Sequence, residues 1–494
     1  MSLFEVRNPA TGEVVGNVTA ADSAAVQSAV DEARQAQRAW AAKSLKERSK
    51  VLSRFHDMVL DQRDRVMDVI QSESGKARRD AFAEMATVAG TARYYLANAD
   101  RHLAASSHSA ALPGLTSAEV IYKPHGLVGF TTPWNYPFLL SIGDAIPALL
   151  AGNAVIVKPA ELTPLSAVLG GELLQEAGLD KGLFTLVHGT GAIGAELIRH
   201  VDYIGFTGGT ATGRKVAVAA AERLIPFSLE LGGKNPMIVL EGASINDAAS
   251  GLVAGAFSNA GQTCISIERV YVQASIAEEF TARVVAKAAA MKLGWSHGWD
   301  VDMGSMISRA HAAKVSSHVE NARAAGAVVR TGGRLRPEIG EAFMEPTVLT
   351  NVSSSMAVFA EETFGPVVSI YPVGDADEAI RLANDSAYGL NASVWTGDGA
   401  HSQRIARRLE TGSAVINSTL LIYNSFAVPM GGVKGSGLGR RHGEHGILRF
   451  TQSESIVSSF SIAGGYDSVM THTDSESRAG LITKALRAFR KLGI

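Results

Sequence analysis

AVIVKPAELTPLSAVLGGELLQEAG (154–178) joins a short apolar run to a helical pattern through a Lys-Pro-Ala-Glu turn. AVIV is too short for a helix and rich in β-branched residues, so it reads as a buried strand. PLSAVLGGELLQEAG has apolar residues at helical spacing, a proline at its start and a glycine at its end. The same alternation recurs on both sides. VGFTTP (128–133), LFTLVHG (183–189), YIGFTG (203–208) and PFSLEL (226–231) read as strands. GAIGAELIRH (191–200) and GTATGRKVAVAAAE (209–222) read as the helices between them. Strands apolar on both faces, separated by helices, imply βαβ units and a parallel sheet covered on both sides. The fold class is α/β.

Outward from this stretch the character changes. Residues 21–105 are rich in Ala, Arg, Gln and Glu at helical spacing, as in VLSRFHDMVLDQRDRVMDVI (51–70). Residues 241–450 repeat the strand-and-helix style and read as a second α/β domain. LLSIGDAIPALLAGNAVIV (139–157) is the most apolar stretch, but it contains Asp144, Pro147, Gly152 and Asn153. It reads as a buried helix, a turn and a buried strand, with no membrane span. The last segment, LITKALRAFRKLGI (481–494), sets Lys484, Arg487, Arg490 and Lys491 opposite Leu481, Ala485, Phe489 and Leu492. It is a short basic amphipathic helix, read as a tail that packs on a neighbouring subunit.

The chain has 494 residues, 46 basic and 48 acidic side chains, and one cysteine. That charge balance argues against electrostatic nucleic-acid binding. One cysteine excludes an internal disulfide and a cysteine-rich zinc site. With no signal-peptide pattern in MSLFEVRNPATGEVV, a cytoplasmic location is expected.

Several junctions carry chemistry. FTGGTATG (206–213) and HGTGAIG (188–194) each follow a strand and open a helix, where backbone N–H groups approach phosphate. KPAELTP places Lys158 and Glu161 at a strand's C-terminal edge, suited to ribose hydroxyls. TPWNYP (132–137) brackets Trp134 and Asn135 with prolines and aims the amide. LELGGKNP (229–236) puts Glu230 at the end of an apolar strand, where poor solvation raises a carboxylate toward general-base range. NAGQTCISIE (259–268) holds Cys264, which reads either as an inert filler or as a nucleophile. HGEH (442–445) has the spacing of a metal pair, but no third ligand is evident and its glycines point to a loop. No metal is expected.

Together, TPWNYP, KPAELTP, FTGG, ELGGKNP, GQTC, EETFGPV and GSGLGR stand in the order of the aldehyde dehydrogenase superfamily. The resemblance runs from NPATGEVV near residue 8 to FTQSESI near residue 456. It implies a Rossmann-like cofactor domain (1–106 and 125–232), a catalytic domain (233–450) and a small bridging β element for oligomerisation (107–124 and 451–464). A tail covers 465–494. It implies Cys264 as nucleophile, Asn135 as oxyanion donor and Glu230 as general base for thioester hydrolysis. Thr132, Trp134, Lys158, Glu161, Gly208, Gly209, Leu231, Glu362 and Phe364 would line the path of NAD, with NADP tolerated. Tyr136, Leu140, Gly143, Thr263 and Ile265 would face the aldehyde, under a loop at 419–430. Relatives often carry a lysine at position 144 and a glutamate at 441. Here Asp144 and Arg441 reverse both signs, which reads either as an inverted ion pair beside Glu230 or as two unrelated surface changes.

The implied product is a carboxylic acid, made by a homodimer or homotetramer. CISIERVYV and GLGRRHGEHG resemble a bacterial succinate-semialdehyde dehydrogenase-like branch. Yet no arginine stands among the tunnel positions to clamp a carboxylate bidentately. A medium-length or aromatic aldehyde therefore suits the lining better. The alternatives from other classes are a thiol hydrolase without a redox cofactor and a non-catalytic structural member of the fold.

Overall fold

The computed structural model describes residues 3–109, 116–459 and 475–492. Two large sheets organise it. The first has six strands in the order Gly437–Leu438, Phe227–Glu230, Tyr203–Thr207, Leu127–Thr131, Ala154–Lys158 and Phe184–Leu186. All pairs are parallel except the edge pair, where Gly437 faces Glu230. The expected strand-and-helix alternation from 127 to 230 is present, with helices Leu165–Glu176, Gly191–Ile198 and Thr210–Glu222 between the strands. Ala154–Lys158 is buried along its whole length, as an interior parallel strand requires.

The second sheet has seven strands: Val328–Thr331, Thr347–Thr350, Val367–Val373, Ile267–Gln273, Asn235–Val239, Asn391–Trp395 and Ser413–Ile416. Only the outer pair, Val328–Thr331 with Thr347–Thr350, is antiparallel. Its helix Ile245–Phe257 runs directly into the segment that bears Cys264. Each large sheet has its own apolar core.

Of the four helices Ser23–Ala42, Leu45–Asp61, Arg63–Ser74 and Arg78–His102, the first packs on strands of the first sheet and the others pack on the helices Ala145–Leu150 and Leu165–Glu176 and on one another. The starts of the first two are fixed by side-chain caps. Asp22 accepts from the N–H of Ala25, and Ser44 with Glu47 forms a reciprocal capping box. Trp40 is fully buried in this layer and its indole donates to the carbonyl of Leu149 at 2.8 Å. The segment 139–157 resolves into a π-helical turn Leu139–Gly143, a helix Ala145–Leu150 and the strand Ala154–Lys158. No helix among the described residues is long and apolar enough to cross a membrane.

Three features differ from the sequence reading. Residues 3–19 form a hairpin, Leu3–Arg7 with Val14–Thr19, that the polar N-terminal sequence did not announce. HGEH is not a loop. Gly443 takes a left-handed φ of +57° and opens the helix Gly443–Leu448, in which Gly446 packs where a Cβ would lie 2.1 Å from the Tyr95 hydroxyl. The C-terminal helix begins earlier than expected, at Glu476, and spans Glu476–Leu492. The expected bridging element lies where Ser106–His108, Thr116–Pro124 and Thr451–Ser459 pair as an antiparallel ribbon. The parts of it expected at 110–115 and 460–464 lie outside the described residues, as do 465–474 and 493–494 of the tail.

Trp40→Ala removes a fully buried ring and its hydrogen bond. Its cost is expected near 3–5 kcal/mol, read as a fall in the urea midpoint of unfolding. An unchanged midpoint would contradict the packing role given to this residue.

Candidate functional site

The two sheets meet head to tail. Strands of the first sheet end at Thr131, Lys158, Thr207 and Glu230, while those of the second begin at Asn235, Ile267 and Val367. Four residues, Leu231 to Lys234, carry the chain from one to the other. A cavity lies between these edges. It is lined by Trp134, Asn135, Leu140, Gly208, Gly209, Glu230, Leu231, Cys264, Glu362, Phe364 and Arg441, among others. The structure thus brings Asn135, Glu230 and Cys264 together from positions far apart in sequence.

Cys264 is aimed by a strained approach. After the helix Ile245–Phe257, Asn259, Ala260 and Gly261 adopt φ of 52°, 53° and 71°. Consecutive left-handed residues are costly when two of them carry a Cβ, and they persist only where surroundings hold them. Here Asn259 Nδ2 donates to the carbonyls of Asn135 at 2.9 Å and Gln262 at 3.1 Å. The Gln262 side chain donates to Asn259 O and accepts from the N–H of Ile307. Only glycine fits at 261, since a Cβ there would lie 2.1 Å from the carbonyl oxygen of Gly365. Asn235 Nδ2 then holds the Cys264 carbonyl at 2.9 Å. Burial pushes the Cys264 thiol up to about 11.

Asn135 is buried, and its amide donates to Gln262 O at 3.0 Å. An NH₂ group has a second hydrogen, which remains for a developing oxyanion. Its backbone is pinned by residues that sequence reasoning missed. Lys76 and Glu84 form an ion pair at 2.6 Å whose side chains are both 0% exposed. Lys76 Nζ also donates to Asn135 O at 2.8 Å, while Glu84 accepts from the N–H groups of Phe138 and Leu139. Removing one member of such a buried pair costs about 3–5 kcal/mol, because the other is left uncompensated. In sequence, Lys76 and Glu84 are two charges in a charge-rich helical region, with no signal that sets them apart.

Glu230 ends its strand and is buried. Burial raises its carboxyl above the ordinary range, Arg441 and Arg449 oppose this, and Asp144 adds to it. Asp144 and Arg441 stand 3.0 Å apart, and Arg441 Nε is 4.0 Å from Glu230 Oε1. A fourth charge, absent from the sequence reading, completes the group: Arg449 Nη2 reaches Asp144 Oδ1 at 2.8 Å. Burial pushes Asp144 up, but the two guanidiniums outweigh it and hold the carboxyl below the usual range.

The cofactor positions divide in two. Trp134, Gly208, Gly209, Leu231, Glu362 and Phe364 line the cavity itself. Gly209 is the N-cap of the helix Thr210–Glu222, has no side-chain cap, and faces open space where a Cβ would be. An uncapped N-terminus with room at its cap suits a pyrophosphate. Glu362 accepts from the N–H of Gly233 at 2.8 Å, and burial raises its carboxyl to about 7. Its loop is held from behind by Glu268, which accepts from the N–H groups of Thr363 and Phe364 and pairs with the buried Lys234. Thr132, Lys158 and Glu161 lie outside the cavity's lining. Lys158 and Glu161 pair at 3.1 Å at the neighbouring strand edge, and Thr132 N–H donates to Lys158 O. These observations fit a dinucleotide laid across the C-terminal edge of the first sheet.

The tunnel positions are less uniform. Leu140 lines the cavity, and the Tyr136 hydroxyl bonds Thr263 Oγ1 at 2.9 Å. Ile265 is 1% exposed and packs with Leu390, Val415, Ile422 and Met430, so it supports the wall from behind. Gly143 lines a smaller adjoining cavity with Asp144, Tyr95 and Arg449. From the loop 419–430, Tyr423 reaches Cys264: its hydroxyl is 3.1 Å from Sγ. Among the described residues no cluster of three or more His, Cys, Asp or Glu side chains could hold a metal ion.

Comparison with known proteins places this geometry. The pattern of the aldehyde dehydrogenase family matches residues 1–456. A Mycolicibacterium smegmatis protein, provisionally named a succinate-semialdehyde dehydrogenase (NADP(+)), is 48% identical over 91% of this chain and 87% of its own. A 4,4'-diapolycopene aldehyde oxidase from a Methylomonas species is 40% identical over 91% and 85% respectively. The crystal structure of Staphylococcus aureus betaine aldehyde dehydrogenase with NAD+ superposes with a TM-score of 0.88 at 32% identity, covering 93% of each chain. With the family's pattern spanning nearly the whole chain, and its fold shared, this protein belongs to the aldehyde dehydrogenase family.

Proposed function

We propose that this chain oxidises an aldehyde to a carboxylic acid through a covalent intermediate on Cys264. The observation that supports it is the convergence of a thiol, a buried carboxylate and a free amide N–H on one cavity. The Cys264 thiolate attacks the carbonyl carbon, and the C=O electron pair moves onto oxygen. Asn135 Nδ2 and the backbone N–H of Cys264 hold that oxyanion. As it collapses, the C–H electron pair leaves as hydride and a thioester remains on sulfur. When bound, NAD(P) supplies the acceptor for that hydride. Glu230 then takes a proton from water, the resulting hydroxide attacks the thioester, and the C–S bond breaks to return the thiolate. Asp144, Arg441 and Arg449 hold Glu230 in a charge-balanced surround.

NAD is the preferred cofactor in this reading, because Glu161 accepts from a 2′-hydroxyl and repels a 2′-phosphate; NADP is tolerated. The aldehyde is of medium length or aromatic, since Leu140 lines the cavity and Tyr423 reaches the sulfur from the loop 419–430. Succinic semialdehyde is the second reading. It is favoured by the name of the Mycolicibacterium relative and by Arg441 in the cavity wall, although Arg441 is committed to Asp144. The exposed ribbon Thr116–Pro124 with Thr451–Ser459, bearing Ile456 and Val457 on its surface, is read as the bridge of a homodimer or homotetramer.

Cys264→Ala is expected to abolish aldehyde-dependent NADH formation. Glu230→Gln should give a burst near one NADH per site and then a steady rate lower by about 10²–10⁴; a normal steady rate excludes Glu230 as the base. Because burial raises Glu230, and only its ionised form accepts a proton, the wild-type kcat should climb with pH above the ordinary carboxylate range of about 4.3. Hexanal and benzaldehyde should exceed succinic semialdehyde in kcat/KM, with NAD ahead of NADP; the reverse order would select the second reading. Light scattering on the purified protein should give a dimer or tetramer, and Val457→Asp should lower that mass. A monomeric wild type would remove the bridging role from the ribbon.

A further inference from the structure

The mechanism needs a thiolate, yet the thiol sits where ionisation is disfavoured. Burial pushes it up, and the nearby Glu230 carboxylate pushes it further. Among the described residues, the hydrogen-bond partner recorded for Sγ is the Tyr423 hydroxyl at 3.1 Å.

That hydroxyl is well placed. Tyr423 lies in the short turn Leu421–Asn424, and its N–H donates to Leu420 O. Its ring packs on the cluster formed by Ile265, Leu390, Val415, Ile422 and Met430, and stands 6.1 Å from the ring of Tyr136. The next residue, Asn424, is tied to Thr87 Oγ1 at 3.2 Å. Fixed on both sides, the hydroxyl has little freedom to leave the sulfur.

Given Cys264 as the nucleophile of the proposed reaction, we propose that Tyr423 is a further catalytic residue, whose hydroxyl donates a hydrogen bond to the Cys264 thiolate and stabilises it for attack. The direction follows from the chemistry. A thiolate has no proton to give, and burial beside the sulfur keeps the phenol protonated. The O–H bond stays intact throughout. The proton lost by the thiol passes to water, and the sulfur keeps its electron pair until that pair forms the C–S bond. Sulfur then carries no negative charge and the hydrogen bond weakens. It re-forms when hydrolysis of the thioester returns the thiolate.

The test reads the thiol directly, apart from aldehyde oxidation. The full-length protein is alkylated with iodoacetamide across a pH series, and the adduct is counted by mass. Cys264 is the only cysteine in the chain, so each adduct reports one site. Tyr423→Phe is expected to move the midpoint of the rate profile upward by about one to two pH units, the worth of a hydrogen bond to a charged group. A less stabilised thiolate is intrinsically more nucleophilic, so the high-pH plateau should rise while the rate at pH 7 falls about 3- to 10-fold. Tyr423→Leu should reproduce the shift, and both variants should keep the wild-type melting profile. An unmoved midpoint overturns the proposal. So does a downward shift with faster alkylation, which would show that the ring only shields the sulfur. Persistent NADH formation by Cys264→Ala would instead strike at the nucleophile assignment, leaving the hydrogen bond itself measurable.

Discussion

The constraint on which the site depends is the length of one crossing. Glu230 ends a strand of one sheet and Asn235 begins a strand of the other, with four residues between them. So short a span cannot wander, and it brings the C-terminal edge of the first sheet against the N-terminal edge of the second. Everything that reacts is hung on those edges. Gly233 donates to Glu362, Lys234 pairs with Glu268, and Asn235 holds the carbonyl of Cys264. Two residues of the crossing and the first residue of the strand it enters thus tie the loop of Glu362 and the loop of Cys264 to the end of the strand that carries Glu230.

Around Glu230, buried charge is held in balance. Two guanidiniums, Arg441 and Arg449, share the carboxylate of Asp144. Their surplus positive charge is met when Glu230 is ionised. Isolated burial would favour the neutral acid, which cannot act as a base. The neighbouring pair therefore offsets the desolvation that the closed cavity imposes. Lys76 with Glu84 and Lys234 with Glu268 repeat the device at a distance from the chemistry. Each spends an ion pair on fixing backbone rather than on contact with substrate.

The alternation of strands and helices from 127 to 230 was readable because parallel strands buried on both faces leave continuous apolar runs. The short motifs were readable because glycines and prolines mark turns. Asp144 and Arg441 stood out as a pair of reversed signs, and they lie within ion-pair distance. What escaped shares one physical cause. Lys76, Glu84 and Arg449 acquire their meaning from burial and from partners across the fold; Arg449 meets Asp144 from 305 positions away. A charged residue in a polar helix looks the same whether it faces solvent or the core. The helix at 443–448 was hidden differently, since glycines that signal a loop also permit a left-handed start and a close approach. Tyr423 lay in a loop expected to close the tunnel, but nothing local tells which of its side chains touches sulfur.

The left-handed run Asn259–Ala260–Gly261 has a consequence for how the protein comes together. Its conformation is unfavourable in isolation and is held by Asn135, 124 positions earlier, and by packing on Gly365. Contacts of such wide sequence separation carry the chain-entropy cost of closing long loops. The segment that bears Cys264 therefore depends for its shape on groups carried by both sheets. The orientation of the Cys264 thiol is thus a property of the assembled fold and not of its own stretch of sequence.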